Sequence, residues 1–305
     1  MSSAERIAAS RLPYKFAATK PGESLRALDD QSIFEIKSRL LDIGAVLLRG
    51  FDAGGLEGFR DFVREFSHRE LFGYAGGASP RSQLGPSGMY NSTEYPPEMQ
   101  IPLHNELSYS RVYPEYLYFL CVVAPSGGGE TILGDSRRIL ARIDASVVDE
   151  FRSRGVCYLR NLSPDIGTGY SWQEAFETDE PERVERICRA RGADFSWLPD
   201  GSLRLKQTGP ATTIHPLTCE EVWFNQAAGF YNDMKEYGQP ARLDCTFGDG
   251  GEIPRETIGH IRAALDRESI PHHWVEGDIV VVDNRLAAHG RKPFSGDRRI
   301  VLAMT

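Results

Sequence analysis

The residues His104-Asn105-Glu106 place an imidazole and a carboxylate two positions apart. In an extended strand, residues i and i+2 point to one face, so both side chains can grip a single metal ion. A third ligand has to come from elsewhere in the chain. His289, in Asp283-Asn284-Arg285-Leu286-Ala287-Ala288-His289-Gly290-Arg291, is the best candidate. Two histidines and one carboxylate on one side of a metal leave the remaining positions open, the arrangement of non-haem Fe(II) oxygenases. The chain has seven histidines, so a His-x-Glu alone is easily met by chance, and the rest of such a site must be sought.

An oxygenase of this kind needs two electrons beyond those its substrate supplies. One common source is 2-oxoglutarate, which chelates the metal through its keto oxygen and C1 carboxylate. Its far C5 carboxylate then needs a cation, and the planar fork of arginine suits it. Arg299 follows His289 by ten residues and stands next to Arg298. Adjacent strand residues face opposite ways, so only one of the two arginines points inward. Thr131, after a glycine turn at the start of a strand, offers a hydroxyl donor. Taken singly, the two arginines read equally well as a solvated edge pair, and Thr131 as an ordinary β-former.

These groups need a rigid sheet to hold them. The 305 residues are 41% hydrophobic and 26% charged, the composition of an ordinary globular chain. A net charge of -8 with no long Lys/Arg cluster argues against a nucleic-acid or anionic-membrane partner. The five scattered cysteines form no C-x-x-C pair, which points to reduced thiols rather than a disulfide framework or a zinc ribbon. The start lacks a signal-peptide pattern and no stretch approaches a transmembrane length, so a cytoplasmic location with no membrane partner is expected.

Residues 1–24 read as a surface arm. Residues 29–42 have helical spacing, with Asp29 or Asp30 as cap and Gly44 as stop. A short buried strand at 45–51 precedes a second helix over 55–68, with Phe59, Phe62, Val63 and Phe66 on one side. The stretch 73–100 is rich in Gly, Pro, Ser and Tyr and ends just before the metal motif, so it reads as an active-site lid or wall. A strand at 115–123, a turn at Gly127-Gly128-Gly129 and a strand at 130–135 follow, the last leading into a helix capped by Asp135 or Ser136. Helices are expected at 144–154 and 180–191, with a segment of no clear period at 161–178 between them. Short strands dominate from Ala193, then a helix at 255–268, a buried strand ending at Asp283 and a last strand at 298–304. The expectation is a mainly β protein with flanking helices (α+β), a two-sheet jelly roll. It forms one domain over 1–305, with a lid-like loop near 73–100 and a helical insert near 144–191.

The segments His104-Asn105-Glu106, Gly128-Gly129-Glu130-Thr131 and His289 through Arg299 resemble the Fe(II)/2-oxoglutarate dioxygenases of the TauD/TfdA family. Thr131 lies 27 residues after His104, and Arg299 ten after His289, close to the family's spacing. Trp274-Val275-Glu276-Gly277-Asp278 followed by Val282-Asp283-Asn284 resembles the strand leading to the family's distal histidine. The likeness runs from about Val46 to the end. It implies a double-stranded β-helix, with His104, Glu106 and His289 as iron ligands at the catalytic centre. It also implies Thr131 and Arg299 as binders of 2-oxoglutarate, and Fe(II), 2-oxoglutarate and O2 as cofactor and co-substrates.

Glu106 stands where many members carry Asp. With Thr93-Glu94-Tyr95-Pro96 and Trp223-Phe224-Asn225-Gln226, it looks most like the SyrP-like and clavaminate synthase-like amino-acid hydroxylase branch of natural-product pathways. The further arginine of taurine dioxygenase is replaced here by Ala303, which speaks against a sulfonate held in that way. Related halogenases have a small residue in place of the carboxylate ligand, so Glu106 speaks against halogenation.

The branch resemblance implies hydroxylation of an unactivated C–H bond in an amino acid or aminoacyl unit, free or tethered to an acyl or peptidyl carrier protein. Arg111, Arg204 and Arg291 are candidates for the substrate carboxylate, and Glu94 or Asn91 for its ammonium. Gln100, Tyr109, Trp223, Asn225 and Gln226 are candidate pocket residues. Each also has an ordinary reading as a surface ion pair, sheet packing or a loop cap, and His215 reads as structural. Desaturation and cyclisation share the same chemistry. A zinc hydrolase would use the metal motif without Thr131 or Arg299, and in a non-catalytic jelly-roll binding module the motif would be accidental. Oligomeric state is not legible.

Overall fold

Asp29 accepts a hydrogen bond from the Ser32 backbone N–H at 2.8 Å and so starts helix α1 (Asp30–Ile43). Gly44 ends it at φ 91°, a conformation that costs glycine little, and its N–H donates to the Leu40 carbonyl. One face of α1 buries Ile36, Leu40 and Ile43, and helix α2 (Gly55–Ser67) buries Phe59, Phe62, Val63 and Phe66. The structure, a computed structural model, describes residues 12–85, 88–92, 94–167, 170–234 and 241–305.

The main strands, in chain order, are β1 (Tyr14–Ala17), β2 (Ala45–Arg49), β3 (Tyr90–Asn91), β4 (Ile101–His104), β5 (Tyr116–Val123), β6 (Thr131–Asp135), β7 (Val156–Leu162), β8 (Asp194–Trp197), β9 (Leu203–Gly209), β10 (Leu243–Phe247), β11 (Ile270–His272), β12 (Ile279–Asp283), β13 (Ala287–Arg291) and β14 (Arg299–Met304). A six-stranded sheet has the order β1-β2-β12-β5-β14-β3, and a four-stranded sheet the order β11-β6-β13-β4. The two enclose one core. Strand alternation shows how: Leu117, Phe119 and Cys121 of β5 join Leu103, Ile132 and Ala287 inside the sandwich, while Tyr118 and Leu120 face α1 and α2. This is the jelly roll expected from the sequence.

Helix α3 (Ser136–Arg142) is capped by Asp135, and helix α8, numbered after four shorter helices, is Arg255–Glu268. The four are α4 (Ala145–Arg154), α5 (Trp172–Phe176), α6 (Pro181–Ala190) and α7 (Ala227–Phe230). The region near 144–191 holds α4, β7, α5 and α6, and β7 joins a third sheet of order β8-β9-β7-β10. Helix α5 carries a capping box between Ser171 and Glu174, a local signal inside the stretch that shows no period.

Two expectations are corrected. Tyr14–Ala17 is not a surface arm: it pairs in parallel with β2 at the sheet edge. Gly127-Gly128 is not only a turn, because it pairs with Phe294-Ser295. No helix among the described residues is long and apolar enough to cross a membrane.

Candidate active site

Strand β13 lies between β4 and β6. His289 pairs directly with His104 across β4, and their ring centroids are 4.3 Å apart. Gly290 permits this approach: a Cβ there would stand 2.4 Å from the Ile101 carbonyl oxygen. Strand β4 ends at His104, so Glu106 does not share the strand, as i and i+2 alternation would have it. It sits in the following turn, and Asn284 fixes it there. Asn284 Oδ1 accepts from the Glu106 N–H at 2.7 Å, and Asn284 Nδ2 donates to the carbonyls of Glu106 (2.9 Å) and Pro114 (2.8 Å).

One ligand atom each from His104, Glu106 and His289 lie within 4.8 Å of one another. His104 Nδ1 is 2.9 Å from the Pro102 carbonyl, which makes it the donor and leaves Nε2 with its lone pair for a metal. Burial and the neighbouring His289 push His104 down to about 4, so the ring is neutral near pH 7. Burial raises the Glu106 carboxyl, but Arg81 and the two imidazoles outweigh it and hold the group well below the usual carboxylate range. Two imidazoles and an ionised carboxylate converging on one point are a fitting donor set for Fe(II).

Beyond the histidines a cavity of about 30 Å³ is lined by Arg81, Ser92, His104, Thr131, His289 and Arg298, among others. Thr131 is buried, and its Oγ1 accepts from Trp274 Nε1 at 3.1 Å. The turn after Trp274 is pinned by Asp278, whose Oδ2 accepts from the Val275 N–H and which pairs with Arg49 through two hydrogen bonds of 2.7 and 2.5 Å.

Of the two adjacent arginines, Arg298 lines this cavity and Arg299 does not. On β14, Ile300, Leu302 and Met304 face the interior core, and Val301 and Ala303 face the helices. Alternation therefore carries Arg298 inward and Arg299 outward, and Arg299 is exposed. Burial, and then the charge of Arg291, push Arg298 down to about 10. Among the described residues no carboxylate lies within ion-pair reach of it. A buried cation without an internal counter-ion is a receptor for an anion from outside.

On the other side of His104 a pocket of about 150 Å³ is lined by Met99, Leu103, Trp223, Phe230, Leu243 and Leu265, with Gln100, Asn225, Gln226 and Arg242 as polar members. Of the substrate candidates, Gln100, Trp223, Asn225 and Gln226 reach this pocket, although Asn225 engages its amide with the Ala211 carbonyl and the Ala227 N–H. Asn91 and Glu94 do not; they line an open cleft of about 470 Å³ on the outer side of Arg298. Tyr109 is buried against Tyr158 and Phe230 and is not among the lining residues. Arg204 is exposed on β9, where it donates to Asn161 of the neighbouring strand. Arg111 is exposed as well. Arg291 is buried, but its guanidinium holds the carbonyls of Tyr95, Pro96 and Met99, so it anchors the wall segment instead of a substrate. Thr93 lies outside the described residues. His215 is structural, bonded to Asp283 at 3.1 Å and to the Thr218 N–H. The sequence reading missed Arg81 and Arg242. For Arg298 the signal was present in the alternation with Ile300.

The sequence matches the family model of the taurine catabolism dioxygenase TauD, TfdA family over residues 8–305. The chain belongs to this family. It is an Fe(II)- and 2-oxoglutarate-dependent dioxygenase, with O2 as the other co-substrate. The dapdiamide synthesis protein DdaC of Enterobacter agglomerans is 38% identical over 276 residues, covering 87% of this chain and 83% of that protein. A clavaminate synthase-like protein of Arabidopsis thaliana is 30% identical over 277 residues, covering 88% and 83%. Among solved structures, PvcB of Pseudomonas aeruginosa, described as an Fe, α-ketoglutarate dependent oxygenase from an isonitrile synthetic pathway, superposes with TM-score 0.54 at 18% identity, over 95% of this chain and 84% of that one. AAD-2 in complex with Mn(II) and N-oxalylglycine superposes with TM-score 0.58 at 14% identity, over 97% and 94%. These likenesses bear on the fold of the dioxygenase.

Proposed function

We propose that this dioxygenase hydroxylates an unactivated C–H bond of an amino acid or aminoacyl unit in a natural-product pathway. The observation that carries the reading is the division of space around His104. His104 lines both the narrow cavity with Thr131 and Arg298 and the apolar pocket with polar ends. In this reading His104, Glu106 and His289 hold the iron, and Thr131 and Arg298 receive the far carboxylate of 2-oxoglutarate. Bound iron supplies the activation of O2, with 2-oxoglutarate oxidised to succinate and CO2.

The chain's own residues do the positioning. Asn284 fixes the Glu106 backbone and Trp274 orients the Thr131 hydroxyl. Met99, Leu103, Phe230 and Leu265 keep water from the target carbon and select it by shape. Arg242 takes the carboxylate role first considered for Arg204, Arg111 and Arg291. It lines the pocket and donates to the Ala78 carbonyl at 3.3 Å. DdaC, with its part in dapdiamide synthesis, supports an amino-acid-derived substrate.

The test is a screen of succinate release over free amino acids and carrier-bound aminoacyl thioesters, with product mass spectrometry. The expected product is substrate plus one oxygen. Substrate less two hydrogens would overturn hydroxylation in favour of desaturation or ring closure. Turnover of the thioester but not the free acid would assign the carrier protein as partner.

A further inference from the structure

The metal end of the co-substrate cavity holds a second arginine. Arg81 comes from the irregular wall segment, and its side chain is 3% exposed. One terminal nitrogen donates to Glu106 Oε2 at 2.5 Å. The guanidinium lies over the Tyr74 ring, 4.3 Å from its centroid. Its Nε and other terminal nitrogen are buried with no hydrogen-bond partner. A guanidinium has five N–H donors in a fixed fork, and leaving an edge of it dry and unpaired is costly.

The surroundings hold Arg81 in place. Tyr74 donates its N–H to Tyr90 and accepts at its hydroxyl from the Ser79 N–H. Gly77 passes so close to the Tyr74 ring that a Cβ would stand 2.1 Å from it, and Arg160 pins the carbonyls of Gly76 and Gly77. The aromatic platform under Arg81 is thus fixed from several directions. Arg81 also lines the same cavity as Thr131, Arg298 and the two histidines. In the free protein Arg81 and Glu106 neutralise each other. A divalent metal on Glu106 leaves the cavity with surplus positive charge at both ends, the charge pattern of a site for a dicarboxylate.

We propose that Arg81 receives the C1 carboxylate of 2-oxoglutarate on its free terminal nitrogen while its other terminal nitrogen stays on Glu106, and so sets how the co-substrate lies at the metal. This rests on the placement of iron between His104, Glu106 and His289. Arg298 then reads the C5 carboxylate and Arg81 the C1 carboxylate, one arginine for each end. The cavity of about 30 Å³ is too narrow for the dicarboxylate as it stands, so loading moves the lining side chains apart.

Pyruvate separates the two ends, because it keeps the keto acid group and lacks C5. Fe(II)-loaded protein is titrated under argon with 2-oxoglutarate and with pyruvate, following the visible charge-transfer band, and Mn(II) binding is measured separately. Arg81→Gln is expected to weaken both oxoacids by a similar factor, roughly 10- to 100-fold, as for a lost charge-assisted pair. Arg298→Gln is expected to weaken 2-oxoglutarate alone. Mn(II) affinity of Arg81→Gln should be equal to the wild type or tighter, since a neighbouring cation is gone. Arg81→Lys keeps the buried charge, and with it the fold, but loses the fork, and should fall between. The proposal is overturned if Arg81→Gln weakens Mn(II) binding and leaves both oxoacids unchanged at saturating metal, if only 2-oxoglutarate is affected, or if Arg81→Lys matches wild type for both. Absence of any band in the wild type would instead remove the metal-site assignment beneath it.

Discussion

Replacing Arg298 with methionine should stabilise the free protein and abolish its response to 2-oxoglutarate. Burial and the Arg291 charge hold Arg298 at about 10 instead of 12.5, which corresponds to about 3 kcal/mol of unfavourable burial. Methionine removes that cost. It also leaves the Gly129 carbonyl, which Arg298 Nε contacts at 3.1 Å, without its donor, a loss of about 1 kcal/mol. The balance is a gain of about 2 kcal/mol, or about 3 °C in Tm for a chain of this length. The co-substrate responds in the opposite sense. Two charge-assisted hydrogen bonds from the fork to a carboxylate are worth about 1.5–3 kcal/mol each, so 2-oxoglutarate affinity should fall about a hundredfold or more. Arg299→Met should change neither quantity, because that side chain is exposed on the outer face. Scanning calorimetry of Mn(II)-loaded protein with and without 2-oxoglutarate reads both effects. If Arg299→Met abolished the ligand-induced shift in Tm while Arg298→Met retained it, the inner-face assignment would be refuted.

Asn284→Ala strands the N–H and C=O of Glu106 and the carbonyl of Pro114, and should lower metal affinity by about 10- to 100-fold, read by Mn(II) titration. Arg49→Met leaves Asp278 buried without its arginine and should cost about 3–5 kcal/mol in urea unfolding at pH 7. Burial raises the Asp278 carboxyl, but Arg49 and His272 outweigh it and lower it from 3.8, so this stabilisation is present above pH 3.8 and is lost as pH falls through the lower folded value. In the variant the carboxyl is raised instead, so the deficit should shrink on acidification, and a deficit constant from pH 7 to pH 4 would contradict this account. Arg204→Ala should leave succinate release unchanged, and unfolding stability unchanged within about 0.5 kcal/mol. Phe230→Ala, which widens the apolar pocket, should raise KM for the substrate found by the screen and leave the 2-oxoglutarate charge-transfer titration unaltered.

The two-sheet core was legible because period-2 alternation and buried apolar runs are local signals, as in β5 and β12. The metal residues were legible for a different reason: their types and spacing matched a family pattern, and the sheet register brings His104 and His289 together. The choice between Arg298 and Arg299 was harder. Spacing favoured one and strand parity the other, and parity prevails because Ile300, Leu302 and Met304 must be buried. Arg81 gave no signal, since it lies in a Gly/Pro/Ser-rich segment whose path is set by distant contacts with Arg160, Tyr90 and Tyr170. The substrate candidates Arg204 and Arg291 had suitable chemistry, but nothing local says that one faces solvent and the other is occupied by loop carbonyls.

Strand β13 carries His289 opposite His104 on one side and Arg291 opposite Thr131 on the other. A pairing error of a single residue there would turn His289 to the opposite face and shift both neighbours at once. Such a slip therefore disturbs the facing histidines and the Arg291–Thr131 pair together, so the metal end and the co-substrate end of the site share one register.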